Sequence, residues 1–279
     1  MHWRNKAKIT KAISFLPYNE EIYKFVQKSF GRLKANPMKR ITVQVEMARM
    51  LLRNAREIEG KTFFEVGSGH SFIVPIWFFL AGAKQVITYD LNRRLDLHIF
   101  SESLMWIVNN SNSLSTIFSD LTNQNQFMER LKLIDRLKKT PLKLLSEANI
   151  EYSAPADASK TNLNDSVIDY HISTTVFEHI PKDTLYSIMR EAKRILKKGG
   201  AALHFIDPSD HFNQQDPSIS KINFLKFSDK EWMNIAGNQF AYCNRLRASD
   251  FIELFTSIGF NIIEKLSLTW DPLLTVFEH

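Results

Sequence analysis

Cysteine is almost missing from this chain: of 279 residues only Cys243 carries a thiol. That excludes an internal disulfide and a cysteine-cluster metal site, and it makes a reducing cytoplasm the expected compartment. Cys243 itself reads as a small, half-buried apolar side chain. Long hydrophobic runs are also lacking. The longest, FIVPIWFFLAGA over Phe72–Ala83, holds a proline and falls short of the roughly 20 residues that cross a bilayer. No apolar stretch of leader length follows the basic start MHWRNKAKIT, so no signal peptide is expected. The charge excess is mild, +6, and reads as solvated helix faces rather than a groove for nucleic acid. Glycine, at nine residues, is scarce enough that its positions carry information.

Two of the nine stand in KTFFEVGSGHSF, Lys61–Phe72, where a run of β-formers breaks into Gly67 and Gly69. Glycines there permit a sharp turn and a ligand close to the backbone. Around this point the chain changes character. Residues 1–60 show apolar side chains at helical spacing and read as an N-terminal helical cap. From residue 61 to 279 the pattern is that of one α/β domain: TFFEV, a helix, and then the strand QVITYD open a βαβ unit. Residues 95–147 interrupt it with helical periodicity and polar breaks, far beyond the dozen or so residues of a crossover, and read as an insertion. Strands resume at NIEYSA and VIDYHIST, followed by the helix PKDTLYSIMREAKRILKKGG, the strand AALHFID from Ala201, a polar-aromatic stretch, a helix, and two final strands NIIEKLSLT and LLTVFEH. Those two can pair antiparallel through the turn at Trp270–Pro272.

A dinucleotide site needs a third glycine at the position of Phe72, and a P-loop needs Lys then Ser or Thr where His70 and Ser71 stand. Both pyrophosphate ligands are disfavoured. S-adenosylmethionine (SAM) comes close to a backbone without a pyrophosphate. Its ribose diol suits Asp90, which ends the second strand about two dozen residues after Gly67, and its adenine amine suits Asp157 in SAPADAS.

These segments resemble the class I, Rossmann-like SAM-dependent methyltransferases, including uncharacterised bacterial members of small-molecule or glycan type. FFEVGSGHS looks like their first motif, VITYD their ribose acid and PADAS their adenine loop, while VIDYHISTTVFEHIPKDTLYSIMREAKRILKKGGAALHFID looks like their fourth and fifth strands with the helix between. The likeness runs over Lys61–Asp90 and Asn149–His279. It implies a seven-stranded sheet in the order 3-2-1-4-5-7-6 with strand seven antiparallel. It also implies SAM contacts at Glu65, Gly67, Ser68, Gly69, Asp90, Leu91, Asp157, Ala158 and Ser173.

Methyl transfer asks an enzyme to align nucleophile and methyl and to exclude water, and a base matters only if the acceptor must lose a proton. The candidates follow strands four and five: His179 in VFEHIP, then Asp207, Asp210 and His211 in FIDPSDHF, where a carboxylate beside an imidazole raises its basicity. No metal is expected, since no second carboxylate cluster accompanies these residues. Tyr242, Asn244 and Arg245, among aromatics, suit a polyhydroxylated or anionic acceptor. Three functions compete: O-methylation of a small molecule or sugar, methylation of nucleic acid or protein, and SAM binding without transfer. STTV in place of an N/D-P-P-Y/F motif after strand four disfavours base methylation, so nucleic acid is not the expected partner. The insertion and N-terminal helices are expected to flank the acceptor or to form a homodimer.

Overall fold

The computed structural model describes residues 1–30, 33–35, 37–267 and 273–278. Three helices come first, α1 (Trp3–Ser14), α2 (Asn19–Ser29) and α3 (Pro37–Arg53). Then β1 (Thr62–Val66), α4 (Ile73–Ala81) and β2 (Gln85–Tyr89) open the α/β part. The insertion is four helices, α5 (Leu97–Asn109), α6 (Ser111–Ile117), α7 (Gln124–Leu137) and α8 (Pro141–Glu147), ahead of β3 (Ile150–Ser153). After β4 (Ile168–Thr174) come α9 (Lys182–Ile195), β5 (Leu196–Ile206), α10 (Asp229–Ala236), α11 (Ala248–Ser257), β6 (Asn261–Ser267) and β7 (Leu273–Glu278).

Hydrogen bonding places the strands in the order β3-β2-β1-β4-β5-β7-β6. Neighbours among β3, β2, β1, β4 and β5 run parallel. β7 is antiparallel to β5, and among the described residues β6 pairs with β7 alone, also antiparallel. This is the expected order, 3-2-1-4-5-7-6 with strand seven antiparallel; the parallel, doubly wound unit within it is the five-stranded β3-β2-β1-β4-β5, and β6 joins that unit only through β7. A short link between two strands allows only a hairpin, whereas a parallel pair needs a crossover. The turn expected at Trp270–Pro272 lies outside the described residues.

β5 also begins earlier than its apolar run suggests. The stretch KKGG looks like a helix end, yet Leu196 already pairs with Ile168, and a register shift before Tyr170 absorbs the extra length.

Side-chain alternation divides the core in two. On one face Phe63, Tyr170 and Ile172 meet α3 and α4, and on the other Phe64, Ile168 and Ala202 meet α9 and α11. The insertion belongs to the first face: Phe100, Phe118, Phe127 and Ile134 share one buried cluster with Trp77 and Leu51. Its apolar side is therefore spent inside the chain's own core, and only its start, at Asp96, reaches the carboxyl ends of the strands.

The N-terminal cap likewise splits. α3 lies in the first core, whereas α1 packs through Trp3 and Ala7 on Phe212, Phe224 and Trp232 beyond β5. α2 is fastened at both ends of the strand edge. Its Lys24 and Lys28 ion-pair with Asp96 at 3.0 and 2.9 Å, and its Tyr23 stacks on Phe240 at 4.2 Å.

Candidate active site

β1 delivers the chain into a turn that only certain residues tolerate. Gly67 and Gly69 have φ of +80° and +64°, and Phe72 closes the turn at +52°. The Phe72 ring is fully buried against Phe100 and Tyr152, so the bulk that displaces a third glycine serves as core. A side chain on Gly67 would meet Val176 at 2.7 Å, in the loop after β4, whereas one on Gly69 would meet nothing within 4 Å. The space beside Gly69 is the open cradle that a cofactor needs.

Asp90 is the acid of that cradle. One carboxylate oxygen accepts from the Gly69 N–H and the Ser68 hydroxyl, both at 3.1 Å. Burial raises its pKa, and the bonds from Gly69 and Ser68 oppose the rise. Next to it Leu91 is 70% exposed, an uncovered apolar surface. Asp157 is exposed, with one oxygen taken by the Ser159 N–H at 2.8 Å, and Ala158 is buried beneath it. Glu65 lies fully buried at the end of β1. The Ala156 N–H donates to the Asp90 carbonyl at 2.9 Å and so brings these loops together; if SAM binds here, Asp90 would take its diol, and Leu91 with Asp157 its adenine.

Ser173 does not join it. Alternation along β4 turns Ser173 to the opposite core, where its fully buried hydroxyl meets His204 Nδ1 at 2.8 Å.

The second half of the site is built by the loops after β4 and β5. His179 and His211 meet edge to face, with ring centroids 4.9 Å apart. His179 Nδ1–H donates to the Tyr242 carbonyl at 2.9 Å, which leaves the lone pair on Nε2. Packing of protein around the ring, and then the neighbouring His211, push His179 down to about 4, so it is neutral at pH 7. His211 Nε2 lies 3.4 Å from Asp207 Oδ2. Burial pushes Asp207 up, but His211 and the Ser209 N–H outweigh this and bring it to about 2, so a carboxylate faces the imidazole.

Arg94 ties the halves together, because its charge acts on His70 in the glycine loop, on Asp90 and on His179 alike. Burial first and Arg94 second hold His70 at about 4.

Other expected residues have different work. Asp210, nearly fully buried, accepts from Phe212 N–H at 2.9 Å and from Asn223 at 3.4 Å, so it shapes its own loop and leaves His211 to Asp207. Asn244 donates to the carbonyls of Phe177 and Ile180 at 2.7 and 2.8 Å, clamping the loop that bears His179. Arg245 donates to the carbonyls of Phe224 and Phe227 and pairs with Asp229. Neither side chain is presented to an acceptor. Tyr242 remains beside the histidines.

Three residues escaped the sequence. Val176 and Arg94 carry no motif, whereas Asp96, the N-cap of α5, stands in a recognisable Asp-before-apolar-run position. Cys243 is more than filler: its Sγ lies 3.7 Å from His179 Nδ1. His179, His211 and Cys243 each bring one ligand atom within 4.8 Å of the others and could hold a divalent cation. Two features oppose that. His179 Nδ1 is engaged by Tyr242, and burial with Glu178, Asp210 and Asp207 nearby raises the thiol far above its usual range.

A methyltransferase-domain family model matches residues 133–204. Among solved structures, a protein from Pyrococcus horikoshii is similar at 16% identity with a TM-score of 0.51, over 85% of this chain and 90% of that one. A SAM-dependent methyltransferase from Mesorhizobium loti gives 12% and 0.50 over 83% and 96%. No curated protein matches the chain. The chain has the class I, Rossmann-like fold of SAM-dependent methyltransferases. SAM is the cofactor of that fold, and the residues from Gly67 to Asp157 are the ones that would hold it here.

Proposed function

We propose that this chain methylates a hydroxyl of a small-molecule or glycan acceptor, with SAM as methyl donor. The observation that carries the reading is the meeting of His179, His211 and Asp207 on the side of the glycine loop where Val176 touches Gly67. When bound, SAM supplies an electrophilic methyl group to the acceptor oxygen. The residues of this chain then have separate tasks. His211 takes the hydroxyl proton, and the Asp207 carboxylate stabilises the imidazolium that results. His179, exposed and fixed through Nδ1 on the Tyr242 carbonyl, serves as an acceptor at Nε2 that orients the hydroxyl. α2, strapped across the strand edge, keeps water out of the cleft.

The test is to supply labelled SAM with a panel of phenols, sugars and glycosides, and to locate the methyl group by mass spectrometry. O-methylated product that is absent when His211 is replaced by alanine supports the reading. Transfer only to nitrogen of protein or nucleic acid would refute it.

A further inference from the structure

The basic residues are not spread evenly once the fold is known. Residues 1–40 hold ten lysines and arginines against two glutamates, so the remainder of a chain of net charge +6 is slightly acidic. Exposed apolar side chains are concentrated in the same place. Among the described residues the large apolar side chains exposed by 70% or more are Phe15, Tyr18, Phe25, Phe30 and Leu91, and the first four fall within or beside α2. Leu91 has its place among the residues that would hold SAM; the other four have none in the site or the core.

We infer that the outer side of α1 and α2 docks on an anionic lipid surface. The inner side of α2 is taken by Tyr23 on Phe240 and by Lys24 and Lys28 on Asp96. Phe25 stands about 200° round the helix from Tyr23, away from the sheet. Phe15 and Tyr18 occupy the turn between the two helices, and Arg4 and Lys8 are exposed on α1, which packs on α2. Single protruding rings beside lysines enter the headgroup layer, where the rings bury apolar area and each cation meets a negative surface. A second copy of this chain is a poor occupant, because it would bring two strongly basic faces together. No helix among the described residues is long and apolar enough to cross a membrane, so the contact is peripheral. The inference does not depend on which acceptor the enzyme methylates.

Flotation of the full chain with vesicles of phosphatidylcholine alone, and with ~30% phosphatidylglycerol, tests it. Binding is expected to the anionic vesicles and to weaken as salt rises. Arg4→Gln and Lys8→Gln are each expected to weaken it about fivefold. Phe25→Ser with Phe15→Ser should weaken it tenfold or more, while Leu142→Ser, an exposed apolar control on α8, leaves it unchanged. All five substituted side chains are at the surface, so melting temperatures should match the parent. Absence of binding, equal binding to neutral vesicles, or binding to an RNA oligonucleotide but not to vesicles would each overturn the inference.

Discussion

Gly67→Ala separates two roles that one glycine fills, and its cost can be worked out from its surroundings. At φ +80° an alanine sits in the left-handed region, at about 1–2 kcal/mol. The new methyl would lie 2.7 Å from Val176 Cγ2 and 3.1 Å from Cγ1, an overpacking of about 1–3 kcal/mol because Val176 must shift. Together the loss is about 2–5 kcal/mol. For a chain of this size each kcal/mol lowers the melting temperature by about 2 °C, so a drop of about 4–10 °C is expected by calorimetry. The two parts can be told apart. Val176→Ala removes the clash but not the backbone strain, so the double variant should recover about 1–3 kcal/mol relative to the sum of the singles. Because Val176 lies in the loop that bears His179, Gly67→Ala should also lower turnover, and Val176→Ala should partly restore it. A coupling energy near zero between the two sites would show that Val176 does not limit the glycine loop.

Asp90→Ala should weaken SAM binding by calorimetry by about 1.5–3 kcal/mol, the scale of hydrogen bonds to a charged group, with the fold intact; unchanged affinity would make Asp90 a brace for Gly69 only. His211→Ala is expected to lower turnover about 10²–10⁴-fold at unchanged SAM affinity, and His179→Ala by less, with a raised KM for the acceptor; full activity of the double variant would rule out histidine catalysis. His171 and His204 are buried on the second face, and burial holds His171 at about 3 and His204 well below its usual value. Their unfolded forms protonate near 6.5, so stability should be level above about pH 7 and fall by up to about 2–3 kcal/mol per unit as pH drops through 6 to 4, and a denaturant midpoint equal at pH 7.5 and 5 would contradict this.

Where the candidate residues lie could be read in the sequence because it depends on where strands end. Strand-length apolar runs place Asp90, His179 and His211 at carboxyl ends, and in a parallel sheet those ends converge. Side-chain direction was the part that failed. Ser173 lies at the right height on β4, but the period of two sends it to the same side as His171. Asn244 and Arg245 sit in an irregular loop, where composition cannot tell an acceptor contact from a clamp on a carbonyl. KKGG misled because glycines after basic residues are typical of a helix end, while pairing with β4 decided the local structure. The strap formed by α2 was invisible for a different reason: its fastenings, Asp96 and Phe240, are far along the chain, and no local pattern announces them.

The clamps around the histidines share one property. His179 donates to the carbonyl of Tyr242, Asn244 to those of Phe177 and Ile180, Arg245 to those of Phe224 and Phe227, and Arg247 to that of Pro208. Each of these acceptors is a main-chain carbonyl, and Arg245 adds a side-chain partner, Asp229. A carbonyl is the same whichever side chain its residue bears, so the scaffold that positions His179 makes few demands on the side chains of the residues whose carbonyls it uses. The side chain of Tyr242 could be exchanged without removing the carbonyl that holds His179. Exchange of the Tyr242 ring would therefore leave the four donors, His179, Asn244, Arg245 and Arg247, with their carbonyl partners.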